Sequence, residues 1–361
     1  MDAGMLALLG KTTALMEHLG FLWVVQTGME LNLWAELERD GSIDDLMALH
    51  PGWDKILLDH WLEQAYCQDL LIKNNGYFRV TKLGKAINKY RNSGLEALYK
   101  ELVSHWGIEF AELPQLITNQ KEKLAFGSDM EEELISKASL ASEPFVWPFL
   151  RSKCQREKWQ KVLDLGCGEG LYLNKLACEF PLLHGVGLEM NPVVASRAQE
   201  RAKETGGRIH ILCEDILSLR NLHDRKQQEN ELLADAERLL DESGTFDLCL
   251  LNNSIYYFTP EQRIQLLESI KGLLTPGGQV GILTAVRKGE PIRVFRTHVP
   301  QNLMSFFLAC HQGFQGLPTE QEILTLLQQT GYTDVNISVM PLGTSHYFFA
   351  KCSHECSEMS R

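Results

Sequence analysis

Between residues 160 and 285 short apolar runs alternate with helix-length segments, and this order constrains the fold more than any other feature of the chain. "KVLDLG" is followed by a helical pattern to Glu179, "HGVGLEM" by one to Lys203, and "RIHILCEDI" by a charged one around Gln227 to Leu240. "FDLCLLNNS", a helical stretch from Pro260 to Leu274 and "GQVGILT" complete the series. Strands that alternate with helices pair in parallel, because each return needs a crossover, and the helices then cover both faces of the sheet. The expectation is an α/β domain with a Rossmann-like, mostly parallel sheet of seven strands.

The text before residue 155 is different. Helix-length periodicity runs through Leu15 to Glu38, Ile43 to Leu49, Lys55 to Leu71 and Leu95 to Ile117. One hairpin interrupts it, at "LLIKNNGYFRVTKLG", where Asn74-Asn75-Gly76 is a turn signal. Helices followed by a hairpin make a winged-helix pattern, so a mainly α, winged-helix-like domain should precede the sheet. The boundaries expected are 1–100 for this domain, 101–155 for a linker and capping helices, 156–352 for the α/β domain and 353–361 for a tail.

A chain of 361 residues, 44% of them hydrophobic, can bury a sizeable core in two domains. Its formal charge of -12 argues against nucleic acid or an anionic membrane as a partner, since both call for a basic surface. The helix that would enter a DNA groove carries Asp54, Asp59, Glu63 and Asp69 against a single lysine, the wrong sign for phosphate contact. The apolar N-terminus is broken by Lys11, Glu17 and His18 too early for a membrane span. Nine cysteines without paired spacing suit a reducing cytosol. Cys352, His354 and Cys356 lie close together in the tail, but no metal site is expected at a frayed terminus.

"VLDLGCGEG" stands at the end of the first strand of the sheet. Gly166, Gly168 and Gly170 would let a ligand lie against bare backbone near a helix N-terminus. A dinucleotide fingerprint needs G-x-G-x-x-G, and Leu171 occupies the place of its third glycine. Asp164, just before the turn, would repel a pyrophosphate and suit the ammonium group of an amino-acid ligand. Glu189 ends the second strand, roughly 20 residues past the glycines, where a carboxylate can accept both hydroxyls of a ribose. Asp215, in "CEDI", can accept the exocyclic amine of an adenine. S-adenosylmethionine has these three groups and no phosphate.

These motifs, with "GLEMNP" and "LLTPGGQVGILT", resemble the successive motifs of class I S-adenosylmethionine-dependent methyltransferases over residues 160 to 285. "LNLWAELERDGSIDDLMAL" and "GYFRVTKLGKAI" resemble the N-terminal winged-helix dimerisation domain of small-molecule O-methyltransferases. The resemblance implies that Asp164, Gly166, Gly168 and Gly170 hold the methionine part of S-adenosylmethionine, Glu189 the ribose, and Asp215 with Ile216 the adenine. Asn252 would border the methionine part and the substrate. Many members carry a His-Asp pair after the fourth strand, with the histidine as base; here Tyr256-Tyr257 stands in its place.

Methyl transfer is an in-line displacement at a sulfonium carbon, so it needs an aligned acceptor in a dry pocket and, for a hydroxyl, a route for its proton. Candidate bases are His298 and His311, in the segment after the fifth strand, with Tyr256 beside them; His346 and His105 are weaker. Tyr257, Trp106, Phe306 and Phe307 could wall an apolar substrate. The expectation is a cytosolic enzyme that methylates a hydroxyl oxygen of a small, natural-product-like molecule. Carbon methylation of a carbonyl compound, with or without a metal held by His and Gln side chains, is the alternative. An apolar stripe through Leu15, Leu19, Leu22, Val25 and Met29 implies a homodimer built through residues 1–100.

Overall fold

The structure is a computed structural model, and it describes residues 3–124, 134, 137, 138, 140–218, 246–287, 293, 294, 297, 298, 301–340 and 345–353. The chain divides into two compact units, Met1–Ala111 with Lys137–Ala141, and Glu112–Ser136 with Ser142–Arg361.

The first unit opens with a long helix, Ala3–Glu30. The helical pattern expected to run on to Glu38 stops because Asn32 adopts a left-handed φ of 62°, which turns the chain into a separate short helix, Leu33–Glu36. Two helices follow, Ile43–Leu49 and Lys55–Cys67, started by Ser42 in a capping box and by the Asp54 side chain. The hairpin pairs Leu71–Asn74 with Tyr77–Val80 across a two-residue turn. Asn75 and Gly76 both have positive φ, as the favoured hairpin turn demands. Gly41–Ser42 adds a third, antiparallel strand. The core joins Trp34, Leu37, Leu62, Leu70 and Phe78 to the C-terminal half of the long helix.

That last contact corrects one expectation. Val25 and Met29, assigned above to the apolar stripe of a dimer interface, are fully buried in their own unit's core. The apolar surface lies in the first turns instead, where Met5, Leu6, Leu8, Leu9, Leu15 and Met16 are each about half exposed or more. The pattern Leu95 to Ile117 is likewise divided, with a π-helical turn at Leu102–Trp106.

The second unit holds a seven-stranded sheet, whose strands we number in chain order: β1 Lys161–Leu165, β2 His184–Leu188, β3 Ile209–Leu212, β4 Phe246–Asn252, β5 Leu274–Ala285, β6 Tyr332–Val339 and β7 Ser345–Cys352. Their spatial order is β6-β7-β5-β4-β1-β2-β3. All neighbours pair in parallel except β7, which lies antiparallel between β5 and β6. The order reverses between β1 and β4, and in an open parallel sheet a crevice for ligands forms beyond the strand ends at such a point. Buried aliphatic residues fill β1, β2 and β4, as strands covered on both faces require. In β2 the side chains shrink to glycine where a helix presses close: a Cβ on Gly185 would come within 2.9 Å of Leu173, which lies on helix Leu171–Glu179. The expected charged helix around Gln227 to Leu240 lies outside the described residues.

Candidate functional site

The turn after β1 is left-handed at all three of its glycines, with φ of 71° at Gly166, 55° at Gly168 and 68° at Gly170. Only glycine takes this conformation at little cost, so the backbone requires the pattern even before a ligand does. Space requires it too: a Cβ on Gly166 would meet Ser254 Oγ at 2.9 Å and Ile216 Cδ1 at 3.3 Å. Gly166 therefore lies between the loop after β3 and the turn after β4, and three of the expected cofactor segments converge there.

Asp164 is 1% exposed, and its Oδ1 has no hydrogen-bond partner among the described residues. Burial, with the Glu189 carboxylate adding to it, pushes its carboxyl up to about 7. A buried acid without a partner is costly, and a cationic ligand group would relieve it. Glu189 follows β2, where its Oε2 accepts from Gly168 N at 3.0 Å and its Oε1 from Asn191 N at 2.9 Å. The acid expected at the ribose thus also braces the glycine turn. Asp215 is exposed and accepts from Leu217 N at 2.9 Å, capping the short turn that carries the buried Ile216. Asn252 ends β4 with both amide atoms buried and, among the described residues, without a fully formed hydrogen bond.

Sequence reasoning missed a clamp on the glycine turn. Glu169 is 5% exposed, and Arg201, on helix Pro192–Ala202, donates to its backbone oxygen and to its Oε2, both at 2.8 Å. Arg197 approaches the other carboxylate oxygen at 3.9 Å. Acids and arginines alternate in that text, but nothing local to the sequence pairs residues 32 apart.

The candidate bases are placed differently from one another. Tyr256, in the turn Ile255–Tyr257, is buried against Tyr257 and Phe314, with ring centroids 4.7 and 6.0 Å away. Burial pushes its phenol well above the usual value, so it stays protonated near neutral pH. His311 is 1% exposed, meets Phe307 edge-on at 4.7 Å, and bridges Leu124 through its backbone. Gln315 N donates to Tyr256 O at 2.9 Å, and Arg263 donates to Ile255 O and Gly316 O, so the loop after His311 is tied to the Tyr256 turn. His298 lies in a two-stranded ribbon with Arg293–Val294, and its side chain falls outside the described residues. His346 is held by Glu320 at 2.8 Å inside the sheet. His105 and Trp106 belong to the first unit; His105 pairs with Ser104, and Trp106 packs on Phe110. Phe307 is buried, whereas Phe306 is 44% exposed.

Residues 163–280 match the family model of a methyltransferase domain. The chain therefore carries a methyltransferase domain, and its fold is that of class I S-adenosylmethionine-dependent methyltransferases. An O-methyltransferase family protein from Burkholderia thailandensis superposes on this methyltransferase with a TM-score of 0.69 and 18% identity, over 96% of this chain and 98% of that one. Human N-acetylserotonin methyltransferase, solved in complex with S-adenosylmethionine, gives 0.67 and 16%, over 98% and 99%. Mitomycin 7-O-methyltransferase MmcR gives 0.67 and 14%, over 97% and 99%. A comparison with curated protein sequences finds no match to this methyltransferase. Its own residues fit the cofactor: a buried acid lacking a partner, an acid beside the left-handed glycine turn, and an exposed acid after β3.

Proposed function

We propose that this methyltransferase acts on a hydroxyl oxygen of a small organic molecule of the natural-product kind. The observation that carries the cofactor half of this reading is the buried Asp164 carboxyl, whose Oδ1 has no partner among the described residues, behind three left-handed glycines. The acceptor half is supported by its likeness to structures described as O-methyltransferases. S-adenosylmethionine, when bound, supplies a methyl group on a sulfonium sulfur. In our assignment Asp164 receives the ammonium group, the turn Gly166–Gly170 lies against the methionine part, Glu189 takes the ribose hydroxyls, and Asp215 with Ile216 holds the adenine. Asn252 borders the reacting end. Tyr256 and Tyr257 wall and dry the acceptor pocket, and proton removal falls to His311 or His298.

Calorimetry is the test of the cofactor half. S-adenosylhomocysteine should bind with a stoichiometry of one, and NAD should give no heat. Absence of the first signal, or saturation with NAD, overturns the reading. With a panel of phenols and aliphatic alcohols, label from the methyl group should appear on oxygen; transfer only to carbon or nitrogen would overturn the acceptor half. His311→Ala and His298→Ala then separate the two bases, because loss of the true one lowers kcat and leaves cofactor affinity intact.

We also propose a cytosolic two-fold dimer formed through residues 1–100. The half-exposed apolar side chains from Met5 to Met16 support the dimer, because a surface of that kind marks an interface. The eight described cysteines, all free thiols, support a reducing compartment. Light scattering at micromolar concentration should give twice the chain mass of 41.0 kDa, and a monomer would count against the assembly.

A further inference from the structure

The residue with most bearing on Asp164 that the assignment above does not use is Tyr347, in β7. Tyr347 pairs with Leu283 of β5, which pairs with Asn252 of β4, so the three share a row across adjacent strands. The next row runs from Phe349 through Gly281 and Leu250 to Asp164. A Cβ on Gly281 would lie 2.9 Å from the Phe349 ring, so the aromatic side chains of β7 lean over β5 towards β4. Tyr347 is 0% exposed, wedged between Phe349 and Phe149 with ring centroids 4.5 and 5.7 Å away. Among the described residues its hydroxyl makes no fully formed hydrogen bond, like both amide atoms of Asn252 and Oδ1 of Asp164, and the Asn252 amide is the side-chain partner within its reach. Burial holds the phenol well above its usual value, with Asp164 adding to that effect and Asn252 opposing it. The hydroxyl therefore remains a donor at every pH at which Asp164 titrates.

Partnerless buried polar atoms are rare, and each costs roughly 1–3 kcal/mol. Here four of them, on three side chains, occupy two neighbouring rows at the β1–β4 crevice. A packing role explains the Tyr347 ring, for which phenylalanine would serve as it does at Phe348 and Phe349. It does not explain the hydroxyl.

We propose that Tyr347 is a positioning residue of the cofactor site, whose hydroxyl orients the Asn252 amide and favours the ionised form of the Asp164 carboxylate that receives the ammonium group. The proposal rests on the cofactor reading above. The titratable groups coupled electrostatically to Asp164 are Glu189 after β2, Cys167 in the glycine turn, Tyr172 on the helix after it, Cys249 on the other face of β4, and Tyr347. Glu189 opposes ionisation, the two thiols are held neutral by burial, and Tyr172 is likewise held protonated. Of these, Tyr347 is the one that also acts on Asn252.

Tyr347→Phe keeps the ring and removes the oxygen. In the ligand-free protein, melting temperature against pH is compared for the parent, Asp164→Asn, Tyr347→Phe and the double variant. The Asp164 titration, read as the difference between each aspartate form and its asparagine counterpart, should move upward by about half to one pH unit in Tyr347→Phe. S-adenosylhomocysteine should bind Tyr347→Phe about fivefold more weakly at pH 7, with the deficit shrinking above pH 8.5, where Asp164 ionises in either protein. An unmoved titration and an unmoved affinity profile overturn the proposal, since lost packing alone would lower stability equally at all pH values. A parent that bound no S-adenosylhomocysteine would overturn the cofactor reading instead. The titration, read without ligand, would still decide whether Tyr347 governs Asp164.

Discussion

Asp164→Asn is expected to raise the melting temperature of the ligand-free methyltransferase at pH 8 by about 5 °C or more, while removing most of its affinity for S-adenosylhomocysteine. The sign follows from linkage. An aspartate titrates near 3.9 in an unfolded chain and, with burial as the first cause, at about 7 in this fold. Between those values the native protein holds a proton that the unfolded chain has lost, so stability falls as pH rises from about 4 to about 7. Above pH 7 the cost is complete, roughly 4 kcal/mol, and at pH 5 it is well under half of that. Asparagine does not titrate, so the gain over the parent should grow with pH. At roughly 2 °C per kcal/mol for a unit of this size, scanning calorimetry at two pH values resolves it. A variant no more stable at pH 8 than at pH 5, relative to its parent, would show that the carboxylate is ionised at neutral pH without a ligand. The loss of affinity, on the order of 30-fold or more, measures the charge-assisted bond to the ammonium group.

Arg201→Met should have the largest destabilising effect. It leaves the buried Glu169 carboxylate with Arg197, 3.9 Å away, in place of its 2.8 Å bond from Arg201, and removes a second 2.8 Å bond to the Glu169 backbone oxygen. Breaking one side of such a pair costs about 3 kcal/mol, because the remaining charge is left in a poor environment. Chemical denaturation should show that loss, and cofactor affinity should fall with it as the glycine turn loosens. Adding Glu169→Gln to Arg201→Met should restore part of the stability, since no charge is then stranded. If Arg201→Met unfolds at the same midpoint as the parent, the clamp contributes nothing.

The sheet and its glycine turn were legible because they are local. Apolar runs of strand length, glycines at alternate positions and an acid at the strand end all lie within a few residues of one another. Asp164 could be read as a ligand group, but its raised pKa could not, since that comes from burial and from Glu189 on a neighbouring strand. Glu169 with Arg201, and Tyr347 with Asn252, depend on pairing between distant segments, which no window of sequence contains. Helix boundaries failed where a single backbone angle decided them, as at Asn32. The N-terminal stripe was misread because periodicity shows which residues share a face, not whether their own core covers that face; it covers Val25 and Met29 and leaves Met5 to Met16 exposed.

The antiparallel placement of β7 also bears on how the molecule is made. A growing chain completes β1 to β6 first, and until β7 emerges both β5 and β6 present an unpaired edge to their surroundings. Long-range strand insertion is slow, and an open edge in the interim can recruit another chain. The same strand carries Tyr347 into the row that runs through Leu283 to Asn252, so sheet closure and completion of that row are one event. A nascent chain therefore has no finished pocket with which to capture a cofactor before its sheet is sealed.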